Sequence, residues 1–129
     1  MDETKKGKRI LVVDDAKVLC VGLERILNQC GYRVESTADG NSAVSRVLEQ
    51  GFHLVLIDLI MPGLDGIEAC RQIKKARPET VVVLMTGRVD QELDQREEAF
   101  RQAGGYPRCL HKPFDAADVL KLIREAIGP

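Results

Sequence analysis

Five short apolar runs alternate with longer stretches of helical periodicity, an order that few folds can accommodate. The runs are Arg9–Val13, Arg33–Thr37, Leu54–Ile57, Val81–Met85 and Arg108–His111. The first, third and fourth are nearly continuous in Ile, Leu and Val, which is typical of strands covered on both faces. In the second run Val34 alternates with polar neighbours, so we expect a more exposed strand there.

Between and after these runs, apolar residues recur every three or four positions, as on one face of an α-helix. Gly31 and Gly51 are each followed by an aromatic residue, which predicts two helix ends with glycine in the left-handed conformation. Asp39 or Asn41 is expected to cap the second helix, and Asp115 the last. Five strands and five helices thus alternate along the chain.

The fourth helix, predicted over Asp90–Gln102, has a weak apolar face. It is rich in charged residues, and Leu93 and Phe100 are its only large apolar side chains. Arg96 and Glu97 interrupt the face between them. We therefore expect a mostly solvated helix with marginal packing, which makes it a natural element to move.

Strands that alternate with helices form a parallel sheet with right-handed crossovers and helices on both faces. We therefore predict an α/β fold, a doubly wound (βα)5 domain with a five-stranded parallel sheet. A chain of 129 residues has the usual length of one domain. Residues 1–129 are accordingly interpreted as a single domain, with a charged leader at 1–7 and an end or the start of a linker at 128–129.

Composition argues against several classes of function. The 19 basic and 20 acidic residues give a net charge of −1, so the chain lacks the positive charge of a dedicated nucleic-acid binder. No apolar run is long enough to span a bilayer, and the charged N-terminus contains no signal-peptide core. We expect a cytoplasmic domain that neither binds nucleic acid directly nor enters a membrane.

The four cysteines are widely spaced and include no C-x-x-C pair. Neither a zinc site nor a disulfide framework is therefore predicted. We expect reduced thiols that pack as small apolar side chains.

Chemically selective residues stand where four of the five predicted strands end. They are Asp14, Asp15, Asp58, Thr86, Gly87, Lys112 and Pro113. Each alone has an ordinary role as a helix cap, turn, strand or surface residue. Together they would meet at one sheet edge, where three carboxylates repel one another and burial is costly. A Mg²⁺ ion relieves that repulsion, and with a lysine and a hydroxyl it suits a phosphoryl group.

Four motifs carry a resemblance to a known family. They are V-V-D-D (12–15), L-I-D-L-I-M-P-G-L-D-G (56–66), L-M-T-G (84–87) and L-H-K-P-F (110–114). In this order the motifs resemble the response-regulator receiver domain of two-component and phosphorelay signalling, from about Lys8 to Ile127. The resemblance implies a flavodoxin-like strand order, 2-1-3-4-5.

The resemblance also implies roles for the acidic residues. Asp58 matches the phosphoacceptor, whose carboxylate attacks a phosphoryl group carried by a histidine of a sensor kinase or phosphotransfer protein. Asp15 matches the direct ligand of Mg²⁺ (or Mn²⁺), and Asp14 the neighbour that supports it. Asp58 and the backbone carbonyl of Ile60 would complete the metal ligands.

The remaining motif residues match the phosphoryl-binding and switch positions. Lys112 would pair with the phosphoryl oxygens, and the Thr86 hydroxyl, followed by Gly87, would turn inward to bind them. Pro113 follows Lys112 where the family often has a cis peptide bond. Cys109 departs from the family, which has Tyr or Phe three residues before the lysine, so the usual coupling between hydroxyl and ring is absent or altered here.

The implied function is a switch rather than a conventional enzyme, with autodephosphorylation expected. Phosphorylation of Asp58 would change a surface for a downstream effector or an output domain outside this sequence, and a homodimer could form through the fourth helix, fifth strand and fifth helix. A phosphorylation-independent binding module is the alternative: the complete acidic residues, Thr86 and Lys112 argue against it, whereas Cys109 leaves it open. A Mg²⁺-dependent phosphohydrolase is disfavoured, because Ile60 stands where a second acid would be needed.

Overall fold

The computed structural model describes residues 7–87 and 95–128 in full, and residues 91–94 by their backbone alone. The strands are β1 (Arg9–Val13), β2 (Arg33–Thr37), β3 (Leu54–Asp58), β4 (Val81–Thr86) and β5 (Leu110–His111). The helices are α1 (Lys17–Gln29), α2 (Gly40–Glu49), α3 (Gly66–Ala76), α4 (Gln91–Gln102) and α5 (Ala116–Ile127). The predicted leader, apart from Gly7, lies outside the described residues, as do Asp90, Pro129 and the side chain of Leu93.

The five strands form one sheet in the order β2-β1-β3-β4-β5, and every neighbouring pair is parallel. The predicted fold class and strand order are therefore confirmed. Parallel neighbours in this order require crossover helices on both faces of the sheet.

Alternate strand residues divide the core into two layers. Ile10 and Val12 pack with the buried faces of α1 and α5. Leu11 and Val13 pack on the opposite side with α2, α3 and Phe100 of α4. Because successive side chains of a strand point to opposite faces, a central strand with helices on both sides must be apolar throughout. This explains the continuous apolar run of β1.

The two outer strands differ from the central ones. β2 is partly exposed along its length, as the alternation at Val34 predicts. β5 is shorter than the predicted run Arg108–His111 and pairs with β4 only through Leu110 and His111. The Tyr106 N–H donates to the Val82 carbonyl of β4 at 2.8 Å, but Pro107 has no backbone N–H to donate, and regular pairing begins only at Leu110.

The helix ends confirm all but one of the predicted signals. Asp39 caps α2 by accepting a hydrogen bond from the Ser42 N–H at 2.7 Å. Gly31 follows the end of α1 with a φ of 95°, a backbone conformation that residues other than glycine rarely adopt. The same prediction for Gly51 is wrong, because α2 ends in the extended conformation at Gln50, with φ −150°, and no left-handed residue is needed.

All four cysteines are free thiols, as predicted. Cys20 and Cys70 are buried in the two core layers, and Cys30 and Cys109 are partly buried. Within the described residues, no helix is both long and apolar enough to cross a membrane.

Replacing Asp115 by Ala is expected to lower the free energy of unfolding by about 1 kcal/mol, the usual loss for a helix cap. The Asp115 carboxylate accepts from the Asp118 N–H at 2.8 Å, and the Asp118 carboxylate accepts from the Asp115 N–H at 3.2 Å. The variant loses the half of this capping box that the Asp115 carboxylate makes, whereas the backbone N–H of residue 115 can still donate to Asp118. Urea denaturation measures the change, and exposed Lys121→Ala in the same helix is the control. Equal stability of the two variants would contradict the prediction.

Candidate functional site

The carboxylates of Asp14, Asp15 and Asp58 come together at the carboxyl edge of the sheet. β1 and β3 are parallel neighbours, and their register pairs Val13 with Ile57. The residues that follow this pair are therefore side by side. A carboxylate oxygen from each of the three lies within 4.8 Å of the other two. The sequence prediction that these side chains meet is confirmed.

Asp14 is the buried member of the cluster, with 2% of its surface exposed. Its Oδ1 accepts a hydrogen bond from the Ala16 N–H at 2.9 Å, and its Oδ2 accepts one from Lys112 Nζ at 2.6 Å. Asp15 is exposed. Neither caps α1 through its side chain, because α1 begins after Ala16. Asp14 is thus held by partners on both carboxylate oxygens.

Lys112 brings the positive charge. Its Nζ lies 2.6 Å from Asp14 Oδ2 and 3.7 Å from Asp58 Oδ2, so one ammonium lies between two carboxylates. The Lys112–Pro113 peptide bond is cis, as the resemblance implies. Lys112 contacts Asp14 more closely than Asp58, which sequence patterns alone did not indicate.

The pKa of the Asp58 carboxyl is raised above its ordinary value, first by burial and then by the negative charges of Asp14 and Asp15. Lys112 opposes this shift. One ammonium therefore does not neutralise three clustered carboxylates. Oxygen ligands with surplus negative charge are what a hard divalent cation prefers, so the donor set fits Mg²⁺.

Thr86, Gly87 and Ile60 border the acidic cluster. Thr86 is buried at the end of β4, and its carbonyl accepts from the Lys112 N–H at 2.7 Å. Gly87 is exposed beside the Lys112 side chain. Ile60, two residues after Asp58, is 42% exposed. The roles of these three residues toward a phosphoryl group remain predictions.

Gly66 is a site residue that the sequence analysis missed. A Cβ at this position would lie 2.6 Å from the carbonyl oxygen of Asp58, so α3 begins directly against the end of β3. Asp65 caps this helix by accepting from the Glu68 N–H at 2.9 Å. In the sequence, the Asp–Gly pair at the start of a helical pattern indicates a helix cap followed directly by this glycine. Glycine here lets the helix hold the β3–α3 loop close to Asp58.

In EDTA, Asp58→Asn is expected to be more stable than the wild-type chain at neutral pH. The Asp58 pKa is raised above its ordinary 3.8, so the folded protein binds this proton more tightly than the unfolded chain does. The stability that this bound proton contributes is fully present below pH 3.8. It is lost as the pH rises through the folded-state pKa of Asp58. The difference in free energy of unfolding between the variant and wild type should therefore decrease as the pH is lowered. Urea denaturation at a series of pH values measures it. A variant no more stable at neutral pH would contradict this.

Comparison with known proteins agrees with this arrangement. The family described as the response regulator receiver domain matches residues 10–124. The transcriptional regulatory protein ResD of Bacillus subtilis (strain 168) is 35% identical over 127 residues, which cover 96% of this chain and 49% of ResD. The chain thus spans about half the length of this curated relative.

Solved structures are similar over nearly the whole chain. The receiver domain of the sensor histidine kinase PA1611 from Pseudomonas aeruginosa PAO1, with a magnesium ion coordinated in its active site cleft, has a TM-score of 0.81, 31% identity and coverage of 95% of this chain and 99% of that one. The beryllofluoride-activated NtrC4 receiver domain dimer has a TM-score of 0.83, 29% identity and coverage of 93% and 96%. Sheet order, acidic edge and sequence match agree, and the chain belongs to the response regulator receiver domains of two-component systems.

Proposed function

We propose that Asp58 accepts a phosphoryl group from a histidine of a sensor kinase or phosphotransfer protein. The observation that carries this is the placement of the Asp58 carboxylate beside two further carboxylates and the Lys112 ammonium, with Lys112 Nζ 3.7 Å away. A carboxylate is an established nucleophile in phosphoryl transfer. Positioning and charge neutralisation then account for most of the catalysis.

Asp14, Asp15, Asp58 and the backbone carbonyl of Ile60 would hold a Mg²⁺ or Mn²⁺ ion. When bound, the ion neutralises negative charge on the phosphoryl oxygens and on the clustered carboxylates. The magnesium ion coordinated in the PA1611 receiver domain supports this assignment. The exposed Asp15 and the buried, doubly hydrogen-bonded Asp14 suggest that Asp15 is the direct ligand and Asp14 the supporting one.

The chain's own residues carry the transfer. An Asp58 carboxylate oxygen forms a bond to phosphorus as the phosphorus–nitrogen bond of the phosphohistidine breaks, and the imidazole leaves with that electron pair. The product is an acyl phosphate on Asp58. Lys112 pairs with the phosphoryl oxygens, and Thr86, with Gly87 next to it, donates from its hydroxyl. Later attack by water on phosphorus restores Asp58, so the chain is a timed switch rather than a conventional enzyme.

The acyl phosphate carries roughly −1.5 to −2 charge, which replaces the single negative charge of the Asp58 carboxylate and adds acceptor oxygens at the sheet edge. Attraction of Thr86 and Lys112 toward it would shift the loops after β4 and β5, and with them α4. A surface cavity of about 280 Å³ lies between β5 and α5, next to these loops. We assign the surface of α4, β5 and α5 to a downstream effector or output domain.

Two relatives support the proposal of an output partner or a second copy of the chain. ResD, of which the chain covers 49%, is a transcriptional regulator, and the activated NtrC4 receiver domain is a dimer. We therefore propose a cytoplasmic receiver whose α4, β5 and α5 face serves an output partner or a second copy of the chain. The net charge of −1 supports the proposal that this domain does not bind nucleic acid directly.

Incubation with acetyl phosphate and Mg²⁺, followed by intact-protein mass spectrometry, tests the proposal. We expect one phosphoryl adduct, which peptide mapping assigns to Asp58, and no adduct when EDTA replaces Mg²⁺. Consumption of acetyl phosphate should be slow, because each adduct stays on the protein until water removes it. Binding to a partner without any adduct would favour the phosphorylation-independent module, and repeated turnover of phosphomonoesters would favour a phosphohydrolase.

A further inference from the structure

The loop between β3 and α3 carries Ile60, whose backbone carbonyl is proposed above as a metal ligand. At its base the loop is closed, because the Gly66 N–H donates to the Leu59 carbonyl at 3.1 Å. Leu59 and Met61 are buried, whereas Ile60 between them is exposed. The base of the loop is thus fixed by the sheet and by α3, and the position of its far side must be set by another element.

The far side of this loop rests on the first turn of α2. Gly40, the first residue of α2, is buried. A Cβ at Gly40 would lie 3.1 Å from the Leu64 Cβ and 3.2 Å from the Leu64 carbonyl carbon, and it would overlap the Leu64 carbonyl oxygen. Beside this contact, a Cβ at Gly63 would lie 3.4 Å from Asn41 Nδ2. The start of α2 and the loop therefore meet with no room for a side chain at position 40.

Backbone conformation does not explain the glycine at position 40. The φ angle of Gly40 is not positive, so other residues could adopt it, and glycine within a helix is less stable than alanine. The close approach of the Leu64 carbonyl is the reason that remains. By contrast, Gly51 just beyond the same helix is exposed, and a Cβ there would meet nothing within 4 Å.

The start of α2 is also connected to the β1 side of the acidic cluster. The Asp14 N–H donates to the Thr37 carbonyl at 3.2 Å, and the Thr37 hydroxyl donates to the Asp39 carbonyl at 3.5 Å. Asp39 caps α2 through its side chain and directly precedes Gly40. A short series of contacts thus leads from Asp14, through the start of α2, to the loop that carries Ile60.

We propose that Gly40 is a positioning residue that sets the spacing between the carboxylates after β1 and the β3–α3 loop at a value that suits Mg²⁺. This role rests on the metal site proposed above. Mg²⁺ requires nearly ideal octahedral geometry with short bonds to oxygen, whereas Ca²⁺ accepts longer bonds and irregular geometry. A side chain at position 40 would push the Leu64 carbonyl, and with it the loop, away from α2. The displaced loop should weaken Mg²⁺ binding more than Ca²⁺ binding.

Urea denaturation at a series of Mg²⁺ or Ca²⁺ concentrations tests the proposal, because an ion that binds the folded chain stabilises it according to its affinity. Gly40→Ala should raise the apparent Kd for Mg²⁺ by about tenfold, the scale on which residues around metal ligands act. The Kd for Ca²⁺ should change less, so the ratio of the two constants shifts. Gly51→Ala is the matched control and should keep both constants of wild type.

Gly63→Ala tests the same contact from the loop side and serves in place of Gly40→Ala if that variant does not fold. The φ of 76° at Gly63 strains an alanine there, so the Kd for Mg²⁺ should rise again, by a smaller factor. Glycine variants that lower stability in EDTA but keep the wild-type Kd for Mg²⁺, or that weaken both ions equally, would overturn the role of Gly40. Failure of the metal site itself appears separately, as absence of any stabilisation of the wild-type chain by Mg²⁺.

Discussion

Asp58→Asn is expected to abolish the phosphoryl adduct completely under conditions that label the wild-type chain. An amide has the shape of the carboxylate, but its oxygen is a poor nucleophile and carries no charge. The variant would retain Asp14 and Asp15 of the three-carboxylate cluster. Both carboxylate oxygens of Asp14 already accept hydrogen bonds, from the Ala16 N–H and from Lys112 Nζ. We therefore expect no second acceptor to take over. Intact-protein mass spectrometry after acetyl phosphate treatment measures the loss.

Asp65→Asn is the matched control for this experiment. It removes a carboxylate from the same β3–α3 loop, and asparagine caps a helix about as well as aspartate, so α3 should be kept. This variant should be labelled like wild type. An adduct that persists in Asp58→Asn would show that another residue accepts the phosphoryl group, and the assignment of Asp58 would be wrong.

Lys112→Met is expected to slow phosphorylation of Asp58 by roughly 100-fold, the scale on which removal of one transition-state donor acts. Methionine keeps much of the length and apolar contact of the lysine stem but lacks the ammonium. In the structure this ammonium lies 2.6 Å from Asp14 and 3.7 Å from Asp58. Without it, negative charge that develops on the phosphoryl oxygens loses its partner from the chain.

The same substitution is expected to lower stability in EDTA. The Asp14 side chain is 1% exposed, and breaking a buried pair by removing one partner costs about 3 kcal/mol or more. Urea denaturation measures this loss, and initial rates of acetyl phosphate labelling measure the first effect. Lys121→Met on the exposed face of α5 is the control for both. Wild-type labelling rates in Lys112→Met would contradict the role given to Lys112.

The elements of the fold could be predicted because their causes are local. Apolar periodicity of two or of three to four residues identifies strands and helices from a few neighbours, and Asp39 and Asp115 cap helices through contacts three residues away. Residues at the ends of parallel strands share an edge whatever the details of packing. The sequence therefore predicts that Asp14, Asp15 and Asp58 lie together.

Other features depended on neighbours distant in sequence. Gly51 has the pattern of a left-handed helix end, yet Gln50 leaves α2 in the extended conformation. β5 is limited to Leu110 and His111 by where the chain meets β4. Gly66 has a local signal in the Asp–Gly pair at the start of α3, but the reason for the glycine is the Asp58 carbonyl oxygen, which a Cβ there would approach to 2.6 Å. In each case a contact made by folding overrides or adds to the local preference.

The sequence alone predicts the fold class, the succession of elements and the identity of the acidic edge, because these follow from periodicity and from the rule that parallel strands end at the same edge. How the charged side chains pair depends on the tertiary structure. Lys112 and Asp14 are 98 positions apart, and their closeness depends on the packing of β1, β3, β4 and β5 at once. Through-space contacts of this kind depend on the whole core, and so they appear only once the chain is folded.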